Sequence, residues 1–463
     1  MNRPYVKLIR SRKKRIERSH PWVYQSEIET VEGNPQPGML IDVQNAQGKY
    51  IATGYYNPAS QITVRIVSYE PIEAMDEAFF KERIERCVAH RQRFLPGAKA
   101  YRLVYGEADF LPGLIVDRFG DVLVVQIVTL GMDVHREALV AALVDVMQPR
   151  GIYERSDVPI REREGLELKT GVLYGDCPRH VQVEENGLII EVDIVEGQKT
   201  GYFFDQRENR ASIAPLMTGW GTRSGIHMGE VEAEDGTVQS LPLNAKGKPV
   251  TFPWWDGATV LECFSHTGSF TLNACKYGAK KVTCLDISEH AIESAKRNVE
   301  LNGFTDRVEF VVADAFAYLR EQVHGLEERT QRASGESSAK KVDTSKPMTA
   351  GGGRTWDVVV LDPPAFAKTR GAVEGAYRGY KDINLHGMKL VNEGGYLVTA
   401  SCSYHMRPDM FMQSILDAAQ DAGKVLRLIE WRPAGKDHPQ IAGVDEGHYL
   451  KFAIFEVRSK QSS

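Results

Sequence analysis

Cys402 and Asp362 are the two residues of this 463-residue sequence whose types and positions best suit catalysis. Asp362 ends the apolar run in VVVLDPPAFAK, and Cys402 follows the apolar run in GGYLVTASCSYHM. If both runs are parallel strands, the two side chains lie at the same carboxyl edge of a sheet, where ligands bind. A thiol in a turn there can act as a nucleophile, and Pro363 and Pro364 fix the backbone beside the carboxylate. The alternatives are a small buried cysteine and a rigid proline turn.

A second series of residues, upstream of this pair, predicts a nucleoside-binding site. The segment TVLECFSHTGSFTLNACKYG has the pattern of a buried strand, a tight turn at Gly268 and a helix start whose N–H groups face a ligand. The next strand ends at Asp286, where a carboxylate accepts hydrogen bonds from ribose hydroxyls, and the third leads to Asp314, within reach of an adenine amino group. No G-x-G-x-x-G motif or Walker lysine follows the first strand, so a pyrophosphate is disfavoured and the ligand inferred is S-adenosylmethionine. The residues predicted to bind it are Phe264, Thr267, Gly268, Asp286, Ile287, Asp314, Ala315, Asp205, Arg207 and Asp362.

Two further polar segments are candidates for contacts with this ligand or with a nucleic acid. In VEGQKTGYFFDQRENR, Arg207 could pair with the carboxylate of the methyl donor, and Asp205 lies beside it; helix capping is the alternative. In YRGYKDINLHGMKLV, aromatic and cationic residues are interleaved at a helix start. This pattern suits stacking and phosphate contact with single-stranded nucleic acid, and a solvated helix start is the alternative.

The N-terminus is basic although the chain as a whole is acidic. The formal net charge is −5, yet residues 1–20 contain eight Lys or Arg and one Glu. A basic arm on an acidic body suits contact with phosphates, and a solvated tail is the alternative. The residues predicted to contact RNA are Lys13, Lys14, Arg15, Pro363, Pro364, Phe366, Arg378, Tyr380 and Lys381.

The composition excludes several classes of protein. The six cysteines are scattered without a C-x-x-C pair, so neither a disulfide framework nor a zinc site is predicted. No apolar run approaches the roughly 18 residues that span a bilayer, and the basic N-terminus lacks the apolar region of a secretion signal. With 42% hydrophobic and 26% charged residues, the chain is expected to fold into two or three domains in a reducing cytoplasm.

Three domains are predicted to position these residues, and the predicted fold class is α/β. Residues 1–71 show short strands separated by glycine turns, typical of a small β-barrel, and residues 72–195 have the pattern of a central α+β domain. Residues 196–463 alternate strand and helix, as a parallel sheet with crossover helices requires. The strands expected in this sheet are 259–264, 281–286, 308–313, 356–361 and 396–400.

Two stretches and the C-terminus depart from this alternation. Residues 219–257 are rich in Gly, Pro and acidic residues, and residues 327–354 are poor in apolar residues. Both are predicted to be insertions into loops, the second of them mobile. The segments VLRLIEW and YLKFAIFEVR are expected to pair antiparallel at an edge of the sheet.

Taken together, these motifs resemble a known family, the bacterial class I methyltransferases that form 5-methylcytosine in 23S ribosomal RNA. SRKKRIERSHPWVY and GKYIATGYYNPASQITVRI are similar to the PUA domain of that family, and DFLPGLIVDRFGDVLVVQ and IYERSDVPIREREGL are similar to its central EEHEE domain. KTGYFFDQR, DPPAF, RGYKDIN and SCS are similar to its catalytic motifs. The resemblance covers nearly the whole chain and implies a Rossmann-like class I methyltransferase sheet with an N-terminal PUA-like β-barrel and a central α+β domain.

The resemblance also implies roles for single residues. Asp286 and Asp314 would hold S-adenosylmethionine, Cys402 would be the nucleophile, the PUA domain would contact RNA, and the protein would be a homodimer. Two features matter for this comparison. The two insertions are longer than expected for the family. The other family of RNA cytosine-5 methyltransferases carries a second cysteine after the proline of the fourth strand, where this sequence has Pro363, Pro364 and Ala365. Release of a covalent adduct must therefore use another base.

The chemistry expected for this family follows from the weak nucleophilicity of cytosine carbon 5. A thiolate must first add at carbon 6, a role assigned to Cys402, while Asp362 hydrogen-bonds the ring N3 and the exocyclic amine. The target base must be unstacked to reach such a pocket. The alternatives are methylation of an amine or ring nitrogen of RNA by the DPP motif without a thiol, and a non-catalytic RNA-binding assembly factor. A small-molecule methyltransferase is disfavoured by the basic N-terminal barrel.

Overall fold

The computed structural model of the chain describes residues 3–10, 15–220, 226–233, 235–250, 257–334 and 353–460. The chain forms two compact units. The N-terminal unit comprises Met1–Gln206 and Gly435–Gly447, and the C-terminal unit comprises Arg207–Ala434 and His448–Ser463. The division into three domains at residues 71 and 195 stays a prediction. None of the helices in the described ranges is long and apolar enough to cross a membrane.

The first six strands of the N-terminal unit form one sheet. They are β1 (Tyr5–Leu8), β2 (Trp22–Tyr24), β3 (Ile28–Glu32), β4 (Leu40–Gln44), β5 (Tyr50–Tyr56) and β6 (Ile62–Ser68). Their order is β2-β6-β5-β4-β1-β3, with β1 and β4 parallel and the other neighbours antiparallel. Because side chains alternate along a strand, one face supplies a core that includes the fully buried Val6, Val23, Ile41, Val43 and Val64. The short strands predicted for this region are confirmed.

A second sheet and four helices complete most of this unit. The elements are α1 (Glu77–Phe94), β7 (Ala100–Tyr105), β8 (Leu114–Phe119), β9 (Val122–Ile127), α2 (Leu130–Val134), α3 (Arg136–Met147), β10 (Gly151–Ser156), α4 (Ile160–Arg163) and β11 (Lys169–Gly175). The sheet order is β11-β10-β9-β8-β7, and only β9 and β10 are parallel among these neighbours. Helix α1 begins where the Asp76 side chain accepts a 3.0 Å hydrogen bond from the N–H of Phe79. A separate antiparallel pair follows, β12 (His180–Glu185) and β13 (Leu188–Asp193).

A buried ionic network lies within the N-terminal unit. The Glu164 side chain is 2% exposed and accepts hydrogen bonds from Arg65 at 3.0 Å and from the Ser60 hydroxyl at 2.6 Å. Asn57 donates to the other carboxylate oxygen of Glu164 at 3.0 Å, and Arg65 also pairs with Glu107 at 3.1 Å. Removing one partner of such a pair leaves an uncompensated buried charge.

The substitution Glu164→Gln is therefore expected to destabilise the N-terminal unit by about 3 kcal/mol, because the Arg65 guanidinium loses a buried counter-ion. The urea dependence of hydrogen exchange in peptides covering β5 and β6 measures this loss. Asp145→Asn, which removes the exposed partner of Lys81, serves as the matched control and should leave that dependence unchanged. Equal stability of Glu164→Gln and the control would contradict the role assigned to the network.

The C-terminal unit is built on a seven-stranded sheet. Its strands are β16 (Thr259–Cys263), β17 (Lys281–Asp286), β18 (Val308–Val312), β19 (Trp356–Leu361), β20 (Val391–Ser401), β21 (Lys424–Arg432) and β22 (Lys451–Ser459). The order is β18-β17-β16-β19-β20-β22-β21, in which the first five strands are parallel and β22 is antiparallel to β20 and β21. The helices of this unit are α5 (Arg207–Ser212), α6 (Ser269–Lys276), α7 (Glu289–Leu301), α8 (Ala315–Ser334), α9 (Val373–Lys389) and α10 (Pro408–Asp421). Short 3₁₀ helices span Gln25–Glu27, Gly106–Asp109, Phe204–Gln206, Ala214–Leu216, Arg370–Ala372 and Asp445–Gly447.

The predicted strands of this sheet are confirmed, including the antiparallel pair at its edge. The fifth strand is longer than expected because β20 starts at Val391 instead of residue 396. The first predicted insertion contains a hairpin of β14 (His227–Glu232) and β15 (Val238–Leu243). In the second, residues 327–334 are the end of helix α8, so the prediction of a loop was wrong there. Residues 221–225, 234, 251–256 and 335–352 of these insertions lie outside the described residues.

Candidate active site

The turn between β16 and α6 has an unusual backbone. Phe264 and His266 have φ of 63° and 49°, and Gly268 has φ of 76°. Side chains other than glycine are disfavoured in this left-handed region, so the turn holds strain within five residues. At Gly268 a Cβ atom would lie 3.0 Å from the Cβ of Ala295, which is closer than ordinary packing. The glycine therefore allows the turn to pass close to helix α7.

The end of β17 presents the Asp286 carboxylate beside this turn. Asp286 accepts a 2.9 Å hydrogen bond from the His266 N–H and another of 2.9 Å from the Ser288 N–H. These bonds orient the carboxylate at the carboxyl edge of the sheet. The next residue, Ile287, is 67% exposed and offers an apolar surface at the same edge.

Asp314 lies two residues after β18 and directly precedes helix α8. Its side chain is exposed and accepts a 2.9 Å hydrogen bond from the Ala317 N–H, as an N-cap does. Ala315 is buried behind it. Gly268 and Asp314 thus follow β16 and β18, and Asp286 is the last residue of β17. These three strands are neighbours in the sheet.

This region contains two buried polar groups, of which Thr267 was predicted from the sequence and Glu262 was not. Glu262, in β16, is 2% exposed and accepts hydrogen bonds from the N–H and the hydroxyl of Thr271. Burial raises the pKa of Glu262 to about 8, with a smaller contribution from the charge of Asp362. The hydroxyl oxygen of Thr267 is buried and has no hydrogen-bond partner among the residues that the structure describes. An acidic residue inside the apolar run TVLEC was the sequence feature that could have indicated Glu262.

The structure brings Cys402 and the DPP segment together. Strands β19 and β20 are parallel neighbours, and Asp362 and Cys402 follow their last residues. The Cys402 thiol is half-buried and donates a 3.7 Å hydrogen bond to the carbonyl of Pro363. The other cysteines of the C-terminal unit are buried, and burial raises the pKa of each of their thiols; they are Cys263, Cys275 and Cys284.

The structure contradicts the prediction that Tyr380 contacts RNA. Its ring is fully buried, and burial raises the pKa of its hydroxyl to about 12. The ring packs against Phe366 and Phe411, with centroid distances of 4.7 and 5.2 Å. A ring packed on both neighbours cannot stack on a nucleic-acid base, so this prediction was wrong.

An aromatic cluster connects the cofactor turn with the DPP segment. Phe264, Phe316 and Phe366 have pairwise ring-centroid distances of 6.3, 6.5 and 5.7 Å. Phe366 is half-buried, whereas Pro363 is buried and Pro364 is exposed. The cluster therefore couples the position of DPPAF to the turn after β16.

The cations predicted to contact RNA already have protein partners. Arg378 pairs with Glu374 and Lys381 pairs with Asp421, each at 2.7 Å. They line an open groove of about 460 Å³ on helix α9. Their contact with RNA stays a prediction.

The N-terminal cations and the KTGYFFDQR segment stay untested as binding residues. Arg15 pairs with Glu27 at 2.6 Å and also donates to the carbonyl of Trp22, so it contributes to the fold. Lys13 and Lys14 lie outside the described residues. Asp205 is buried in the N-terminal unit with Lys199 3.6 Å away, whereas Arg207 is buried at the start of α5 in the C-terminal unit.

Comparisons with known proteins agree with this architecture. Residues 6–69 match the family description of a PUA-like domain, and residues 255–328 match that of a methyltransferase domain. The ribosomal RNA large subunit methyltransferase I of Vibrio cholerae is 39% identical over 454 residues, which cover 97% of this chain and 98% of that protein. The protein of that name from Escherichia coli is 37% identical over 448 residues, covering 96% and 97% of the two chains. The chain belongs to the ribosomal RNA large subunit methyltransferase I family.

Solved structures support the fold of this family member. A proposed S-adenosylmethionine-dependent methyltransferase from Streptococcus mutans has a TM-score of 0.69 at 18% identity and covers 97% of this chain and 100% of its own. Another structure with a TM-score of 0.69, at 19% identity, was solved in complex with S-adenosylhomocysteine. These two structures confirm the predicted fold class. The relatives and the match to a methyltransferase domain show that the chain is a methyltransferase, and the predicted cofactor, S-adenosylmethionine, is confirmed.

Proposed function

We propose that this protein transfers a methyl group to carbon 5 of a cytosine in 23S ribosomal RNA through a covalent bond to Cys402. One observation carries the proposal: the half-buried thiol of Cys402 lies 3.7 Å from the carbonyl of Pro363, at the carboxyl ends of two adjacent parallel strands. Asp362 precedes that proline. The names of the relatives supply the class of substrate, large-subunit ribosomal RNA.

The residues after β16, β17 and β18 fit S-adenosylmethionine. Gly268 allows the turn to pass close to helix α7, and the buried hydroxyl oxygen of Thr267 has no hydrogen-bond partner among the described residues. In the proposed site, the oriented carboxylate of Asp286 accepts hydrogen bonds from the ribose, and the exposed Ile287 covers the adenine. Asp314 accepts a bond from the adenine amine. The residues proposed to complete the site are Phe264, Ala315, Asp205, Arg207 and Asp362.

When bound, S-adenosylmethionine supplies an electrophilic methyl group, and the protein supplies the activation of the base. The thiolate of Cys402 forms a bond to carbon 6 of the cytosine, which moves an electron pair to carbon 5. Carbon 5 then gains the methyl group. A base removes the proton from carbon 5, the bond between sulfur and carbon 6 breaks, and the electron pair returns to the sulfur. Since Ala365 stands where a second cysteine would act, that base is another group.

Asp362 is proposed to hold the cytosine during addition. A carboxyl group that hydrogen-bonds the ring N3 and the exocyclic amine stabilises the charge that develops as the adduct forms. The two prolines after Asp362 limit the backbone freedom of the segment. In addition, the bond between the Ala367 N–H and the Ser403 hydroxyl, 3.1 Å long, links this segment to the turn of Cys402.

RNA binding is proposed for the N-terminal PUA-like domain and for helix α9. A target base must leave its stack to reach the sheet edge, which suits single-stranded or looped RNA. We expect the protein to act in the cytoplasm and to bind 23S ribosomal RNA. We also expect it to form a homodimer.

Gly268→Ala is expected to weaken binding of S-adenosylhomocysteine about ten-fold, because an alanine in the left-handed conformation costs roughly 1–2 kcal/mol and crowds Ala295. Isothermal titration measures the affinity. Gly303→Ala is the matched control: Gly303 has a similar φ of 70°, but its Cβ would meet open space and it lies after α7. Equal affinity of the two variants for S-adenosylhomocysteine would show that Gly268 does not contribute to the cofactor site.

The product of methyl transfer decides the proposed function. The experiment incubates undermodified 23S RNA with the protein and S-adenosylmethionine and identifies modified nucleosides by mass spectrometry. New 5-methylcytidine is the expected result. If the product carries its new methyl group on an amine or a ring nitrogen, the protein catalyses the thiol-independent reaction instead of carbon methylation. Binding of the methyl donor without transfer to any RNA would favour the assembly factor.

A further inference from the structure

The turn that carries Cys402 is held by a cluster of buried hydroxyl groups. Ser401 and Ser403, on either side of the cysteine, are fully buried. The Tyr380 hydroxyl lies 2.9 Å from the Ser403 Oγ and accepts a 3.0 Å hydrogen bond from the Ser401 Oγ. Both flanks of the cysteine are therefore fixed to helix α9.

Lys451 is a buried cation at the same turn. It is 2% exposed, begins β22 and lies opposite Ser401 in the antiparallel pair with β20. Its Nζ donates to the carbonyl of Ser403 at 2.7 Å and to that of Tyr449 at 2.9 Å. Among the described residues, no carboxylate pairs with this ammonium. Carbonyl groups offer only partial negative charge, so the buried ammonium lacks a full counter-ion.

We infer that Lys451 is a positioning residue for Cys402: its ammonium anchors the turn through the Ser403 carbonyl and supplies the positive charge that favours the cysteine thiolate. The inference rests on the proposed nucleophilic role of Cys402. When the thiol ionises, the S–H bond breaks, the electron pair stays on sulfur and the proton passes to water. The ammonium keeps its own protons, and the thiolate becomes its counter-ion.

The titration of Lys451 is consistent with this pairing. Burial lowers the pKa of Lys451 to about 8, and the charge of Cys402 acts in the opposite direction. The ammonium therefore still carries its proton at pH 7. Because the attraction between two charges is mutual, a thiolate that favours the ammonium is itself favoured by it.

Other titratable groups surround the turn. Tyr380 packs from α9, and burial raises the pKa of its hydroxyl to about 12, so it is neutral at pH 7. Asp362 follows β19 and brings negative charge, which opposes ionisation of the thiol. Tyr404 and His405 follow the cysteine on its own turn. The positive charge of Lys451, at the start of β22, therefore counteracts the negative charge of Asp362, which follows β19.

The test compares the pH dependence of Cys402 alkylation in Lys451→Gln and in the unsubstituted protein. Glutamine keeps an N–H donor for the carbonyls but carries no charge. Iodoacetamide labels the folded protein at a series of pH values, and peptide mass spectrometry measures the rate at Cys402 alone. We expect the pH of half-maximal rate to rise by about one unit in the variant, since the loss of a nearby positive charge raises the pKa of a thiol.

Lys424→Gln is the matched control. Lys424 begins the neighbouring strand β21, and its Nζ bonds the Ser459 hydroxyl at 3.1 Å, at the opposite end of β22 from Lys451. The substitution Lys424→Gln removes one positive charge from the same sheet. It should leave the pH dependence of Cys402 alkylation unchanged. The affinity for S-adenosylhomocysteine, measured in parallel, verifies that each variant is folded.

An unchanged profile in a folded Lys451→Gln protein would overturn the inference. If that variant does not fold, Lys451→Arg decides, because arginine retains the charge: a profile equal to that of the unsubstituted protein supports the inference, and a shift to higher pH contradicts it. Alkylation requires no RNA and no methyl transfer. A failure of this inference therefore stays distinct from a failure to form 5-methylcytidine.

Discussion

Cys402→Ala is expected to lower the rate of methyl transfer to 23S RNA by on the order of 10⁴-fold or more, about 5 kcal/mol in the barrier. Without the sulfur, nothing adds to carbon 6, and carbon 5 stays too weak a nucleophile to take the methyl group. Single-turnover transfer of a radiolabelled methyl group measures the rate. The affinity for S-adenosylhomocysteine should stay within about two-fold, because alanine fits the volume that the thiol occupies.

Cys177→Ala provides the matched control for this substitution. Cys177 is the half-buried cysteine of the N-terminal unit, and its replacement should leave the rate unchanged. RNA that contains 5-fluorocytidine gives an independent result, since fluorine cannot leave carbon 5 as a proton does. We expect a covalent complex on a denaturing gel with the unsubstituted protein and none with Cys402→Ala. Full activity of Cys402→Ala would exclude the covalent mechanism.

Asp362→Asn is expected to lower kcat by about 10²- to 10³-fold, because an amide keeps the size of the carboxyl group but loses its charge at the cytosine ring. The rate of adduct formation on 5-fluorocytidine RNA should fall in parallel. If Asp362 acted only on the cofactor, the affinity for S-adenosylhomocysteine would fall and saturating cofactor would restore kcat. The comparison of kcat with that affinity therefore separates the two proposed roles of this residue.

Asp409→Asn is the matched control, because it also removes one carboxylate and lies close to Cys402 in the sequence. Asp409 lies in the first turn of α10, 64% exposed and paired with Arg407. Its replacement should change neither kcat nor cofactor affinity. Equal effects of the two substitutions would point to a general electrostatic change instead of contact with the base.

The sequence predicted the ends of the parallel strands well because each is an apolar run followed by a polar residue at the ligand-binding edge. Gly268, Asp286, Asp362 and Cys402 were located in this way, and the structure places each at the end of a strand, directly after it or in the turn beyond it. Such positions depend on local pattern and on one general property of parallel sheets. The distances between the side chains depend on register and could not be obtained from the pattern.

Tyr380 shows where local interpretation failed. Its basic neighbours suggested an exposed stacking platform, yet Ala376, Tyr380, Ile383 and Gly387 recur at the spacing of one helix face and are all buried. The helical period was the better guide.

Lys451 could not be located from the sequence at all. Its partners are backbone carbonyls, and the turn it supports is almost fifty residues away in the chain. A lysine at the start of an apolar strand has the same sequence pattern whether its ammonium faces water or buried backbone carbonyls.

The return of the chain to the N-terminal unit has a consequence for how the protein matures on the ribosome. Asp437, in the segment Gly435–Gly447, is fully buried; its carbonyl accepts a hydrogen bond from Arg91, and its carboxylate accepts one from the Arg102 N–H. These bonds form only after residue 437 has been synthesised. During synthesis, the N-terminal unit therefore waits for residues 435–447 before these hydrogen bonds can be made. A gene fusion that moved the N-terminal unit to another protein would have to carry both of its stretches.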